Sequence, residues 1–191
     1  CLSDGGTYEG LDPLLGCDNA DGNFLCRMAD KLIDEGAFDR VILAPVGVSA
    51  TSITRWMPGG DLNSHIIVIC RRLASVGLTP TMFVWQQGES DNGAMSRNDY
   101  RDNLLSLIGS ARAEGFNAPW LIGKSTWIGG VNDPDIRDAC DDVVNGADIF
   151  AGADTDTLTS PTYRQESGPH FTPVGADAQA DLWKDAIAAV F

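Results

Sequence analysis

Two histidines are the candidate general bases of this chain, because histidine titrates near neutral pH. His170 stands in Gly168-Pro-His-Phe171, a loop just before the predicted last helix, and loops of this kind often carry catalytic groups. His65 stands inside a predicted helix next to Ile66. A plain surface or capping role is the alternative for both, and position favours His170 as the base.

A second candidate is the polar segment Trp85-Gln-Gln-Gly-Glu-Ser-Asp91, which follows a predicted buried strand. A simple strand-to-helix loop needs one capping residue and one glycine, whereas this segment holds five polar residues and a glycine after Trp85. A glutamine amide N–H can donate to a developing oxyanion, and Gly88 would let the backbone approach a ligand closely. The alternative is an ordinary loop capped at Ser90 or Asp91.

A third candidate lies in the small-residue segment 45–56, also after a predicted strand. Its stretch Gly47-Val-Ser49-Ala-Thr51 is one residue from the G-x-S-x-G nucleophile elbow of α/β-hydrolases. This makes Ser49 an alternative nucleophile. The same loop offers backbone N–H groups for an anion or oxyanion.

The elements that must position these residues alternate along the chain. Helical periodicity and caps predict helices over about 22–36, 62–76, 96–111, 133–145 and 172–191. Apolar runs predict strands over 40–47, 81–85, 120–123 and 148–152. The alternation predicts an α/β fold, a three-layer sandwich around a central parallel sheet. Ligands bind beyond the carboxyl ends of such strands, where the segments 47–56, 86–91 and 124–132 fall.

Composition narrows the function classes. The 191 residues suit one domain spanning 1–191, and no apolar run reaches the ~18 residues of a membrane-spanning helix. The net charge of −14 argues against nucleic acid and anionic membrane surfaces as partners. Five cysteines without a C-x-x-C pair, and only two histidines, argue against a zinc site, and no cofactor is expected.

Three stretches together resemble the SGNH-hydrolase superfamily, and within it the sialate O-acetylesterase-like carbohydrate esterases. Residues 85–91 are similar to the block W-x-Q-G-E-S-D of that branch. Residues 167–171, followed by Gly175, resemble its D-G-x-H-F block with a later glycine. Residues 48–56 resemble its G-G-T-S-I-x-x-W block. The resemblance spans roughly residues 12–190.

The resemblance implies an esterase that removes acetyl groups from sugars by a serine–histidine mechanism. By position, His170 is the implied base, and Gln87 and the backbone N–H of Ala50 are the implied oxyanion donors. The positions expected to contact substrate are Gly88, Glu89 and Trp127, with Trp127 as a wall for a sugar face and Glu89 organising its loop through hydrogen bonds. An acetylated carbohydrate is therefore the expected partner.

Two departures from the family pattern qualify these roles. The nucleophile block of the family lies after a first strand well upstream of the segment that matches Asp12, and no apolar strand precedes Asp12 here. We therefore expect the first strand and its serine to lie outside this chain, in an N-terminal segment of the same precursor. The orienting aspartate of the family is replaced by Ser167, so Glu166 or a backbone carbonyl is expected to hold the base.

Two other functions stay open on the sequence. The chain can be a non-catalytic relative that binds carbohydrate, or a small cutinase-like α/β-hydrolase that uses Ser49. The acidic, lysine-poor composition and the family resemblance predict an extracellular or periplasmic location.

Overall fold

The computed structural model describes residues 6–11, 14–16, 18, 23–166 and 168–191, which form an α/β fold. The five α-helices are Leu25–Asp34 (α1), Asn63–Ser75 (α2), Arg97–Ala113 (α3), Pro134–Val143 (α4) and Pro173–Ala188 (α5). The three strands are Phe83–Trp85 (β1), Trp120–Lys124 (β2) and Ile149–Asp154 (β3). Three short 3₁₀ helices, which the sequence did not predict, are Ile53–Arg55, Glu89–Asp91 and Thr155–Thr157. No helix in these ranges is long and apolar enough to cross a membrane.

The sheet is parallel throughout and has the order β1-β2-β3. Phe83 of β1 lies opposite Trp120 of β2, and Trp120 lies opposite Ile149 of β3. Helix α1 packs against α5 on one face, and α3 packs against α2 and α4 on the other. The predicted three-layer α/β architecture is confirmed.

Local sequence signals set the helix ends. Ser96, Asp133 and Thr172 each accept a hydrogen bond from a backbone N–H of the first turn, as N-cap side chains do. Gly36 has φ +74° just after α1, a conformation that glycine adopts at little cost. The predicted caps at Ser96 and Thr172 are therefore confirmed.

Two apolar cores lie on opposite faces of the sheet. The larger core joins α2, α3 and α4 to side chains of β1 and β2 such as Trp85 and Trp120. The smaller core is built around Trp183 of α5. The sheet meets this indole at Gly123 and Gly152, where an added Cβ would lie 2.6 Å from ring atoms of Trp183. Only residues without a side chain let the helix come this close.

The predicted strand over 40–47 is not a strand in the structure. Residues 41–48, called the 41–48 segment below, alternate between the two cores: Val41 and Leu43 pack on the α5 side, and Ala44, Val46 and Val48 on the α3 side. Within the described residues, however, its only backbone hydrogen bond to another segment joins the Gly47 carbonyl to the Asp18 N–H at 2.9 Å. A strand needs a neighbour for its hydrogen-bond ladder, and apolar alternation alone does not supply one.

Candidate active site

Four loops meet at the carboxyl edge of the sheet, where the sequence predicts a ligand site. In chain order they are residues 49–56, 86–96, 125–133, and 155–166 with 168–172. The first two loops are joined by Asp91, which is 2% exposed and whose Oδ2 accepts the Ile53 N–H at 2.9 Å. The second and third are joined by the Asn92 amide, which donates to the Thr126 carbonyl at 2.6 Å. The third and fourth approach at Gly129 and Gly168, where a Cβ on Gly168 would lie 3.9 Å from the Gly129 nitrogen.

Gln87 is anchored on all sides by hydrogen bonds. Its Nε2 donates to the Thr51 carbonyl at 3.0 Å and to Asp91 Oδ2 at 2.7 Å. The Tyr100 hydroxyl lies 2.9 Å from Gln87 Oε1 and 2.8 Å from the Gln87 carbonyl. Burial raises the pKa of Tyr100, so this hydroxyl stays a neutral donor. Both amide hydrogens of Gln87 are thus donated, one to the neighbouring loop and one to Asp91 of its own loop, and donation to an oxyanion requires exchange of one of these bonds.

Ala50 has the backbone conformation expected of a glycine position. Its φ is +54°, and it is the one non-glycine residue in the described ranges with positive φ. The turn is held by Thr51, whose Oγ1 donates to the Val48 carbonyl at 2.8 Å and accepts from Trp56 Nε1 at 2.9 Å. Ala50 is exposed, and its N–H donates to no group in the part of the chain that the structure describes, so it is open to a ligand.

Ser49 is exposed beside this turn, and its N–H donates to Asp18 Oδ2 at 3.3 Å. In a nucleophile elbow the serine itself occupies the strained backbone position. Here the residue with positive φ is Ala50 instead. The local geometry therefore differs from the elbow that would make Ser49 a nucleophile.

His170 is exposed in a small hairpin of the fourth loop, where it pairs with Gln165 and directly precedes Phe171. Arg164 and Phe171 form an antiparallel bridge, and the Thr172 N–H donates to the Tyr163 carbonyl at 2.8 Å. Gln165 donates through its backbone N–H to the His170 carbonyl and through Nε2 to the Phe171 carbonyl, each at 2.9 Å. The backbone on both sides of the imidazole is thus fixed while the ring faces solvent.

Arg164 supports this hairpin from inside, and the sequence analysis missed it because no motif marks the position. Arg164 is 5% exposed, and its guanidinium donates to three carbonyls, those of Thr155 and Leu158 at 2.8 Å and of Pro169 at 2.5 Å. Its Cζ also lies 3.8 Å from the centre of the Phe171 ring. Burial lowers the pKa of this guanidinium. Arg164 therefore fixes the residue directly before His170.

The predicted acid, Glu166, is not bonded to His170. Glu166 is exposed, and among the described residues no hydrogen bond or ion pair joins it to His170. Ser167 lies outside the described residues. The other histidine, His65, stands in α2 with its ring edge-to-face on Trp56 at 6.0 Å, a packing position.

Glu89 and Gly88 tie the second loop to the end of β2. Ser125 Oγ donates to Glu89 Oε1 at 2.6 Å, and burial raises the pKa of this carboxyl. A Cβ on Gly88 would lie 2.8 Å from the Ser125 carbonyl oxygen. The close approach that Gly88 permits is therefore to this backbone, and the predicted ligand contact stays a prediction.

The loop that carries Trp127 is fixed by a buried carboxylate. Asp156 accepts the N–H groups of Thr126 at 2.7 Å and Trp127 at 3.0 Å, and the Thr126 hydroxyl at 2.6 Å. Arg137 donates to Asp156 at 2.9 Å, which neutralises the buried charge. Trp127 is half-buried, and its loop stands next to the His170 hairpin.

Comparison with known proteins agrees with this fold. A protein from Arabidopsis thaliana, solved at 1.6 Å, superposes with a TM-score of 0.69 at 20% identity over 86% of this chain and 67% of its own. A protein from Parabacteroides merdae described as a GDSL-like lipase gives a TM-score of 0.67 at 15% identity over 98% and 91%. At these identities the likeness shows the fold. No curated protein matches the sequence.

The family assignment rests on sequence. The model of the family "Carbohydrate esterase, sialic acid-specific acetylesterase" matches residues 24–145, more than half of the chain. That range includes the loops of Ala50, Gln87 and Trp127. The chain therefore belongs to the sialic acid-specific acetylesterase family of carbohydrate esterases.

Proposed function

We propose that this protein removes O-acetyl or similar small acyl groups from sugars, with His170 as the general base. The observation that carries the proposal is a series of contacts between loops. The hairpin of the exposed His170 lies beside the Trp127 loop, Asn92 bonds that loop to the Gln87 loop, and Asp91 bonds the Gln87 loop to the Ala50 loop. Family membership makes ester hydrolysis the reaction this arrangement serves best.

In the proposed reaction a serine Oγ, supplied from outside residues 23–191, attacks the acetyl carbonyl carbon. His170 accepts the serine proton as the new C–O bond forms. The carbonyl oxygen becomes an oxyanion, and the Ala50 N–H donates to it. Collapse of this intermediate breaks the bond to the sugar, whose oxygen takes the proton from His170. Water then attacks the acetyl-serine while His170 accepts its proton. Collapse of the second intermediate releases acetate, and the serine oxygen takes the proton from His170.

In this scheme Gln87 serves the oxyanion in two ways. Its bond to the Thr51 carbonyl holds the turn that presents the Ala50 N–H. It becomes a direct donor when substrate displaces that bond. Glu166 and Ser167 stay candidates for supporting the imidazole, and the bond from Arg164 to the Pro169 carbonyl gives the base an orientation without a carboxylate.

The substrate we propose is a neutral acetylated sugar. In this proposal Trp127 offers an aromatic face for a sugar ring, and Glu89 and Gly88 contact the same substrate. The net charge of −14 disfavours strongly anionic esters. We place the protein outside the cytoplasm, which subcellular fractionation tests directly.

Replacement of the base tests the proposed function. His170→Ala in the full-length protein is expected to lower kcat for 4-nitrophenyl acetate by at least ~100-fold, since general base catalysis contributes that much. His65→Gln is the control and keeps its activity. Full turnover by His170→Ala would contradict the proposal.

Two further measurements test the alternative functions, a cutinase-like hydrolase and a carbohydrate-binding protein. Ser49→Ala is expected to retain most of the activity, and its complete loss would favour the cutinase-like mechanism. Binding of acetylated oligosaccharides by the full-length protein without any turnover would favour a carbohydrate-binding role.

A further inference from the structure

The polar segment after β1 holds two adjacent glutamines, Gln86 and Gln87, and the proposed reaction uses only the second. Successive side chains of an extended chain point to opposite faces of a sheet. Val84 packs on the α5 side of the sheet and Trp85 on the α3 side. Gln87 continues the α3 side, where it meets the Tyr100 hydroxyl, and the side chain of Gln86 reaches α5. The two glutamines therefore hold different parts of the molecule.

The Gln86 side chain accepts two hydrogen bonds from α5 through one atom. Its Oε1 accepts from Trp183 Nε1 at 2.7 Å and from Gln179 Nε2 at 2.8 Å. An indole N–H can only donate, so the Gln86 atom that faces it is the amide oxygen. Both donors belong to buried residues, and a buried donor that loses its acceptor is costly. These two bonds therefore tie the end of β1 to α5.

The same row of α5 that binds Gln86 also contacts the His170 hairpin. Gly175, Gln179 and Trp183 follow one another at intervals of four residues, so they lie on one face of the helix. A Cβ on Gly175 would collide with the carbonyl oxygen of Tyr163 in the hairpin. The first turn of α5 thus lies directly on the hairpin, and its next two turns hold the end of β1.

Packing and hydrogen bonding fix α5 in different directions. The Trp183 ring lies against Gly123 and Gly152, and this contact sets the distance of the helix from the sheet. Apolar attraction is non-directional, so it constrains the position along the helix axis less sharply than a hydrogen bond does. The bonds to Gln86 hold only within a narrow range of distance and angle. They therefore define where α5 stands along its axis relative to the end of β1.

We propose that Gln86 is a positioning residue for the general base, because through α5 it sets where the His170 hairpin stands relative to the Gln87 loop. Gln87 holds the turn of Ala50 and Gln86 holds the helix behind His170, so one strand end aligns both sides of the site. This inference rests on the proposed function only for the role of His170 as the base. The link from Gln86 to the hairpin is independent of catalysis.

Loss of the acceptor tests the role of Gln86 in catalysis. Gln86→Met in the full-length protein keeps a side chain of similar length and removes the oxygen that binds α5. We expect kcat for 4-nitrophenyl acetate to fall by about 10- to 100-fold with KM changed by less than ~3-fold, because a shift of about 1 Å at a catalytic group has an effect of this size. Gln86 is half-buried, and Gln86→Glu, which keeps an acceptor oxygen, should recover most of the lost kcat. Equal losses in both variants would overturn the proposal.

A variant with weakened packing of α5 separates positioning from general loss of stability. Ile187 is 1% exposed in the same core as Trp183 and takes no part in the bonds to Gln86. Ile187→Val should therefore lower the melting temperature and leave kcat nearly unchanged at temperatures where the protein is folded. A fall of kcat as large as that of Gln86→Met would overturn the special role of Gln86.

Proton spectra test the link from Gln86 to the hairpin without any enzyme assay. In Gln86→Met the indole N–H signal of Trp183 and the imidazole signals of His170 should both shift, while those of His65 stay in place. Unmoved His170 signals would overturn the link, whatever the activity. Shifted His170 signals with unchanged kcat would instead contradict His170 as the base and leave the link standing.

Discussion

The two loop systems that meet at the candidate active site are held by different means. On the oxyanion side, side chains hold the loops: the half-buried Gln87 and the buried Asp91 bind backbone groups of the Ala50 loop, and the buried Tyr100 holds Gln87. On the base side, His170 is exposed and its hairpin is fixed through backbone carbonyls that Arg164 and Gln165 bind. Damage to the first system should therefore cost mainly stability, and damage to the second mainly activity.

The largest expected loss of stability follows removal of the buried carboxylate on the oxyanion side. Asp91→Ala leaves the Ile53 N–H and the Gln87 amide without their acceptor, and should lower the free energy of unfolding by about 3 kcal/mol. Urea denaturation measures this. Asp91→Asn keeps an oxygen at the same place and should recover most of the loss, and Asp102→Ala at the surface is the control. A loss from Asp91→Ala no larger than the loss from the control would contradict the comparison.

The next effect probes the base side. Arg164→Met removes a donor from three carbonyls, of which that of Thr155 keeps the Leu158 N–H, and should lower the free energy of unfolding by about 2 kcal/mol. Because displacement of a catalytic group by about 1 Å can cost 100-fold, kcat for 4-nitrophenyl acetate should fall by about 10- to 100-fold with little change in KM.

Nuclear magnetic resonance distinguishes a positioning role of Arg164 from a purely structural one, because only positioning changes the surroundings of the His170 ring. The chain has two histidines, so the imidazole signals of His170 are easily separated from those of His65. Arg164→Met should shift the His170 signals and leave those of His65 in place. Arg97→Met, at an exposed ion pair, is the control. Unmoved His170 signals together with unchanged kcat would show that Arg164 does not position the base.

A smaller effect concerns pH. Burial raises the pKa of Glu89 above its ordinary 4.5, so the folded state holds this proton more tightly than the unfolded state does. The stability contributed by the protonated carboxyl is present below pH 4.5 and is lost as pH rises through the raised pKa. Urea denaturation between pH 4 and 7 should show the parent protein losing stability relative to Glu89→Gln. A difference that is flat or grows with pH would contradict the raised pKa.

The smallest expected effect relieves the strained turn. Ala50→Gly removes the cost of a Cβ at φ +54° and should raise the free energy of unfolding by about 0.5–1 kcal/mol. The same change at Ala147, an exposed residue with ordinary φ, should lower it by a few tenths. Destabilisation by Ala50→Gly would show that the turn does not carry this strain.

Elements built from local signals were predicted well. The five helices lie within a few residues of their predicted bounds, because caps such as Ser96 and Thr172 and the apolar periodicity act over one or two turns. Three of four predicted strands are present. The fourth, over 40–47, kept its apolar alternation but lacks a ladder, because pairing depends on a neighbour that alternation does not specify.

In the candidate site, too, features set by local sequence were predicted and features set by tertiary contacts were not. Residue types at motif positions were enough to single out His170, Gln87 and Ala50, and the family match covers the loops of the last two. Motif positions said nothing of Arg164, whose importance comes from three carbonyls that converge only in the folded chain. They also did not reveal that both amide hydrogens of Gln87 are already donated.

The sequence by itself determined the α/β class, the helices, the family and the residue types available for ester chemistry, because these follow from periodicity and from short motifs. Only the tertiary structure decided which hydrogen-bonding groups of the site are occupied and which are open. It also decided that the 41–48 segment faces β1 across a cavity in the plane of the sheet. Those outcomes depend on which distant backbones come within about 3 Å of one another, and hydrogen bonds act only at that range.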